Sequence, residues 1–179
     1  MGNVSLAVLF LILSPPAIAL GLWRYRDDYR RYGHTTALGL GAVCLAFLMP
    51  HLVLGYSFPM TFVPRTDFER AAMGIMALGL AGCAWPLRYF SAHMWTGRRQ
   101  PHLVTGGPYR YSRNPQYVAY FLFPLGYALM GRTLLAWTAL VLYWVVVHLI
   151  VLIEEEHLER RFGAAYRTYK RRTPRYLLV

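Results

Sequence analysis

Five stretches of this chain contain no Asp, Glu, Lys or Arg and are long enough to consider as membrane crossings: 4–23, 35–64, 71–87, 114–131 and 133–153. A bilayer core takes about 20 helical residues, with a range of about 17–25. Backbone N–H and C=O groups cannot be left unpaired in hydrocarbon, so crossings are helices or strands of a closed barrel. No alternation of the kind that marks barrel strands occurs here, which leaves helices. The expected fold class is therefore all-α integral membrane, a single domain over 1–179. About five transmembrane helices are expected, at 4–23, 36–57, 70–89, 115–131 and 133–153, followed by a tail at 154–179.

Prolines qualify this outline. Pro15 and Pro16 are expected to kink or break the first span, and Pro50 and Pro59 to bend or end the second. Pro124 lies midway along the fourth. Only Arg132 separates the fourth and fifth charge-free runs, so those helices are expected to form a tight antiparallel hairpin.

The charges orient the chain. Sixteen of the 19 basic residues fall in 24–34, 88–113 and the tail from 154, all on one side of a five-span chain. Arg65, Arg70 and Arg132 fall on the other. The positive-inside rule then predicts an outside N-terminus and a cytoplasmic C-terminus. The net charge of +11 is read as orientation and contact with anionic headgroups, not as a nucleic-acid surface. Lys170 is the only lysine, a bias that fits a GC-rich genome and a bacterial inner membrane. Cys44 and Cys83 lie inside apolar runs, with no Cys/His spacing that suggests a metal site. The start lacks both a myristoylation signal and the basic head of a cleaved signal peptide, so the first run is expected to remain as a helix.

Three segments carry chemistry. The first is a polar insert from Leu103 to Tyr117, with Gly106-Gly107-Pro108 and Asn114-Pro115. Glycines bring backbone close to a ligand, and Pro115 suits the first turn of a helix whose open N–H groups attract anions. The residues alone equally allow a plain turn with Arg113 on lipid phosphate. The second segment is Glu154-Glu155-Glu156 with Glu159, directly after the last apolar run. A solvated helical extension accounts for it, yet three acids at a membrane edge run against the local basic trend. The third runs from Phe162 to Tyr176 and reads as a short basic amphipathic helix ending before Pro174.

Together the three resemble the isoprenylcysteine carboxyl methyltransferase and phospholipid methyltransferase superfamily. The match comprises Leu103, Val104, Thr105, Gly107 and Tyr109, then Arg113, Pro115 and Tyr117, then Glu154 and Glu155, then Phe162, Gly163, Tyr166, Tyr169 and Pro174. Two positions depart from it. Asn114 stands where the superfamily has His, and Ile150 where the isoprenylcysteine enzymes carry an Arg one turn before the Glu pair.

The resemblance implies an integral-membrane methyltransferase using S-adenosylmethionine and releasing S-adenosylhomocysteine. Its cytosolic pocket would be formed by the loop before the fourth helix and the C-terminal segment. His102, Leu103, Val104, Gly107 and Tyr109 would hold adenine and ribose; Asn114, Pro115, Gln116 and Tyr117 would present a helix N-terminus. Glu154 and Glu155 would bind the cofactor's amino or ribose end, and Arg113 would orient the acceptor or stabilise charge near the reacting centre. Arg113 and Glu154 are the expected catalytic pair. The acceptor would be lipophilic or amphipathic. The alternative within enzymes is a phosphatidylethanolamine-type N-methyltransferase. Outside them it is a haem- or quinone-binding membrane protein using His51 and His148.

Overall fold

The computed structural model describes residues 2–58, 63–89 and 102–177. Among these residues there are helices and turns and no strand. The order is α1 (Gly2–Tyr32), α2 (Ala37–Ser57), α3 (Asp67–Leu87), a 3-10 turn (Gly107–Arg110), α4 (Pro115–Gly131), α5 (Leu134–Phe162) and α6 (Ala164–Arg172). Helices α1, α2 and α5 are long and apolar enough to cross a membrane. Helix α4, at 17 residues, sits at the short limit of a crossing, and α3 carries Asp67, Glu69 and Arg70 in its opening turns.

Helix α1 overturns the expected break at the proline pair and the expected end at Trp23: it runs unbroken through Pro15 and Pro16 and on past Trp23. The Ser14 hydroxyl, just before the proline pair, donates to the Phe10 carbonyl one turn back at 2.6 Å. Beyond Trp23 the charges that suggested a loop pair along the helix: Arg24 with Asp27 and Asp28, and Arg31 with Asp27. Their three- and four-residue spacing matches the helical surface, so 24–32 is a helical extension beyond the apolar run. Pro50 lies inside α2, which ends at Ser57; Pro59 lies outside the described residues.

The corner between α1 and α2 is tied by Asp28, which is fully buried. Its Oδ2 accepts from the Thr36 backbone N–H and hydroxyl, while Thr36 Oγ1 caps the Gly39 N–H. A Cβ on Gly39 would fall 1.9 Å from that same oxygen, so glycine is required for the approach.

Helices α3 and α4 cross closely because Gly79 and Gly126 let backbone near backbone: an added Cβ would lie 2.7 Å from the Phe123 nitrogen or 2.6 Å from the Ala72 carbonyl. The expected α4–α5 hairpin is present. Arg132 takes a left-handed conformation (φ 48°) to close α4, and Thr133 caps α5. A small apolar cluster on α5 gathers Tyr143, Val147 and Val151, and two larger ones hold the helices together. One joins α2, α3, α4 and the start of α5 around Val53, Met76, Tyr127 and Leu140. The other joins α1, α2 and the middle of α5 around Leu22, Met49 and Val146.

Candidate active site

Helix α5 does not end with its apolar run at Ile153 but continues through Phe162. The three glutamates therefore project in three directions about one helix, and each meets a different partner. Glu154 turns toward α1 and α4. Its Oε1 accepts from Tyr25 at 3.0 Å and Tyr117 at 3.2 Å, and Tyr25 in turn contacts the Tyr29 hydroxyl at 2.9 Å. Among the described residues Oε1 takes every hydrogen bond Glu154 makes, leaving Oε2 open. Burial raises its carboxyl to about 7; the two phenol bonds pull it down and Glu155 pushes it up, without cancelling that cost.

Glu155 is 5% exposed and points to the loop and the tail. Arg175 grips both of its oxygens, Nε at 3.1 Å and Nη2 at 2.8 Å, and Arg113 reaches it through Nη2 at 3.2 Å. Glu156 faces outward among Arg26, Arg30 and Arg160. A small desolvation cost is outweighed there by hydrogen bonds from Arg26 and Arg30, which hold its carboxyl below the usual range.

The insert and the tail are stitched through main chain. The Arg113 N–H donates to the Pro174 carbonyl at 2.9 Å. The Arg175 carbonyl accepts from Ser112 Oγ at 3.2 Å and Asn114 Nδ2 at 3.1 Å. Asn114 thus ties the tail instead of capping α4 with its side chain. Tyr169 on α6 donates to the Tyr109 carbonyl at 2.7 Å, holding the 3-10 turn. Gly163, at φ 51°, makes the bend between α5 and α6 that allows this return.

These contacts surround one cavity of about 750 Å³. Of the residues expected from sequence, Leu103, Val104, Tyr109, Arg113, Asn114, Gln116, Tyr117 and Glu154 line it. His102, Gly107, Pro115 and Glu155 do not: His102 is exposed, Gly107 packs beneath Tyr89, Pro115 opens α4, and Glu155 is spent on the two arginines. Arg113 keeps two buried guanidinium nitrogens, Nε and Nη1, without a hydrogen-bond partner among the described residues.

Sequence reasoning missed the contribution of α1, which brings Tyr25 and Tyr29 to the cavity, and of α5's extension, which brings His157 and Arg161. The signal was present in the four-residue spacing of Tyr25 and Tyr29, and of Arg26 and Arg30. The apolar wall comes from one face of α2, with Leu40, Val43, Cys44, Phe47, Leu48 and His51 recurring at helical spacing. Ile150 joins that wall. His51 places Nδ1 2.8 Å from the Phe47 carbonyl and Nε2 3.2 Å from the Tyr120 hydroxyl, so both ring nitrogens are engaged. His148 meets Tyr176 at 3.0 Å. No cluster of three or more metal-binding side chains occurs among the described residues.

Among known proteins, the family model for phospholipid methyltransferase matches residues 68–165, which cover the insert and the Glu pair and stop short of most of the tail. The chain is 29% identical over 162 residues to the cobalt-zinc-cadmium resistance protein CzcN of Cupriavidus metallidurans, covering 90% of this chain and 71% of that one. It is 27% identical over 140 residues to the nickel-cobalt-cadmium resistance protein NccN of Alcaligenes xylosoxydans xylosoxydans (78% and 63%). It is 27% identical over 137 residues to the protein-S-isoprenylcysteine O-methyltransferase of Schizosaccharomyces pombe (73% and 54%). The chain thus spans between 54% and 71% of the length of these relatives. No solved structure matches it significantly. With more than half of the chain inside the family match, and with the loop, the Glu pair and the tail brought together in space, the chain belongs to the phospholipid methyltransferase family, in the superfamily that includes the isoprenylcysteine methyltransferases.

Proposed function

We propose that this chain is a membrane methyltransferase that takes its methyl group from S-adenosylmethionine and passes it to a lipophilic or amphipathic acceptor at the cytosolic rim. The observation that carries this reading is one cavity lined both by Glu154, with an open carboxylate oxygen, and by Arg113, whose Nε and Nη1 are buried and unpartnered among the described residues. The methyl donor carries cationic groups and a carboxylate, and that donor set fits both. Glu154 would face the cationic end, Arg113 would seat an anion, and Leu103, Val104 and Tyr109 would flank the nucleoside. When bound, the donor supplies an electrophilic methyl group on sulfur.

The chain's own work is orientation and exclusion of water, which transfer between two bound molecules needs most. Tyr25 and Tyr117 fix the Glu154 carboxylate by donating to the same oxygen. The α2 face supplies an apolar wall suited to a hydrocarbon chain, running from Leu40 to His51.

A specific feature favours an N–H acceptor over a carboxylate. Ile150 places an apolar side chain in the wall where the isoprenylcysteine enzymes have Arg, while Glu154 can accept a proton near neutral pH. Calorimetric titration of the detergent-purified protein with S-adenosylhomocysteine tests the donor. Labelled methyl transfer in membranes, followed by lipid extraction, tests the acceptor: label on an amine headgroup is expected. Failure to bind the nucleoside would overturn the donor assignment; label on a carboxylate would overturn the acceptor.

A further inference from the structure

We propose that Arg175 is a positioning residue: by occupying Glu155, it keeps the charge of Arg113 available to an anion in the cavity. This rests on the cavity being a methyl-donor or acceptor site, and it assigns a role to a tail residue outside the cavity lining.

The argument is one of shared charge. Arg113 and Glu155 are buried and Arg175 is partly exposed; together they hold one negative and two positive side chains, so one positive charge remains unneutralised. A guanidinium fork is pre-organised to take both oxygens of a carboxylate. Arg175 uses that fork, with Nε on Oε1 and Nη2 on Oε2. Arg113 is left a single contact through Nη2, and its Nε and Nη1 stay buried and unpartnered among the described residues. Buried donors are ordinarily paired, so two open ones on a side chain that lines a cavity point to a carboxylate or phosphate oxygen as the missing partner. Without Arg175, Glu155 would have Arg113 as its buried counter-ion. The pair would be neutral, and Arg113 would be free to turn its own fork onto Glu155 and away from the cavity.

A simple latch for the tail predicts something different. The latch already exists in main chain: Pro174 and Arg175 carbonyls accept from the Arg113 N–H, Ser112 and Asn114. Tyr176 adds its bond to His148. Truncating the Arg175 side chain leaves all of these in place.

The test is calorimetry on the full chain in detergent with three probes. S-adenosylhomocysteine carries the donor's carboxylate, 5′-methylthioadenosine lacks it, and dodecyl phosphate imitates an anionic amphiphilic acceptor. Arg175→Ala is expected to weaken an anionic probe by about ten- to a hundredfold, the scale of a hydrogen bond to a charged group. It should leave methylthioadenosine within about twofold, the nucleoside contacts being untouched. Loss on S-adenosylhomocysteine assigns the anion to the donor; loss on dodecyl phosphate assigns it to the acceptor. The double variant Arg175→Ala/Glu155→Gln removes the charge that Arg175 occupies and should recover most of the lost affinity.

Unchanged binding of both anionic probes by Arg175→Ala would overturn the proposal. So would a double variant as weak as the single one, since that outcome marks a latch. If the wild type binds neither nucleoside, the methyl-donor reading falls, and dodecyl phosphate alone decides the role of Arg175.

Discussion

The two ends of the cavity are built on opposite plans. The apolar wall comes largely from one face of α2, a single continuous stripe from Leu40 to His51. The polar end draws on α1, the insert, the start of α4, the extension of α5 and α6, and its central charges, Arg113, the Glu154–Glu155 pair and Arg175, come from three separate segments of the chain. A wall of van der Waals contacts degrades gradually when one side chain is trimmed. A cluster of buried charges does not, because removing one partner leaves the other uncompensated in a low-dielectric site. The polar end should therefore be brittle and the apolar wall adjustable.

The sharpest break in that contrast is Arg113→Ala. Removing one charged donor from a reacting site costs about 10²–10³-fold in turnover, and a loss of that order is expected in labelled methyl transfer. Arg113→Ala activity within tenfold of wild type would contradict the brittle polar end.

Glu154→Gln comes next, with a loss of S-adenosylhomocysteine affinity of about ten- to a hundredfold by calorimetry, the scale of a charged hydrogen bond. It also carries a pH signature. The folded carboxyl titrates at about 7, against 4.5 for the unperturbed group, so between those values the folded protein holds more protons than the unfolded one. Thermal stability of the ligand-free protein should thus fall as pH rises from about 5 to about 8. Affinity for S-adenosylhomocysteine should climb over the same range, because only the ionised Glu154 carboxylate attracts its ammonium group. Both slopes should flatten in Glu154→Gln.

Phe47→Ala probes the other end. It should leave S-adenosylhomocysteine affinity within about twofold and raise the KM of a long-chain acceptor by about tenfold, the scale of a lost apolar contact in a pocket. A larger effect on the nucleoside than on the acceptor would merge the two ends into one site.

The smallest effect is expected at Glu156→Gln, on the outer face of α5. Its three arginine partners are half exposed, so the change should cost at most about 1 kcal/mol in thermal unfolding and shrink further in salt.

Much of the candidate site was legible in the chain, in uneven ways. Arg113, Tyr117 and Glu154 were picked out by their motifs and do line the cavity. Glu155 was picked out with Glu154 as a ligand-binding pair, yet its carboxylate serves two arginines. Adjacent residues on a helix point about 100° apart, so two members of a pair need not share a task. Asn114 was expected at the helix N-terminus and is there, but its side chain holds the tail. The charge density of 24–32 suggests that the first helix ends at Trp23, yet these residues continue α1. Their three- and four-residue spacing, which pairs Arg24 with Asp27 and Asp28, and Arg31 with Asp27, was the better guide.

Hydrophobicity along the chain was sufficient by itself to determine that this protein is helical and belongs in a membrane, because hydrocarbon leaves the backbone no other way to pair its polar groups within single segments. Local sequence also determined where α4 and α5 begin, through Pro115 and the Thr133 cap. What only tertiary structure decided is the division of labour among charges. Which glutamate stays open, which arginine is neutralised and which keeps unspent donors depend on contacts between residues as far apart as Tyr25 and Glu154. Such pairings are settled by packing geometry over ångströms, and residue order carries no measure of that distance.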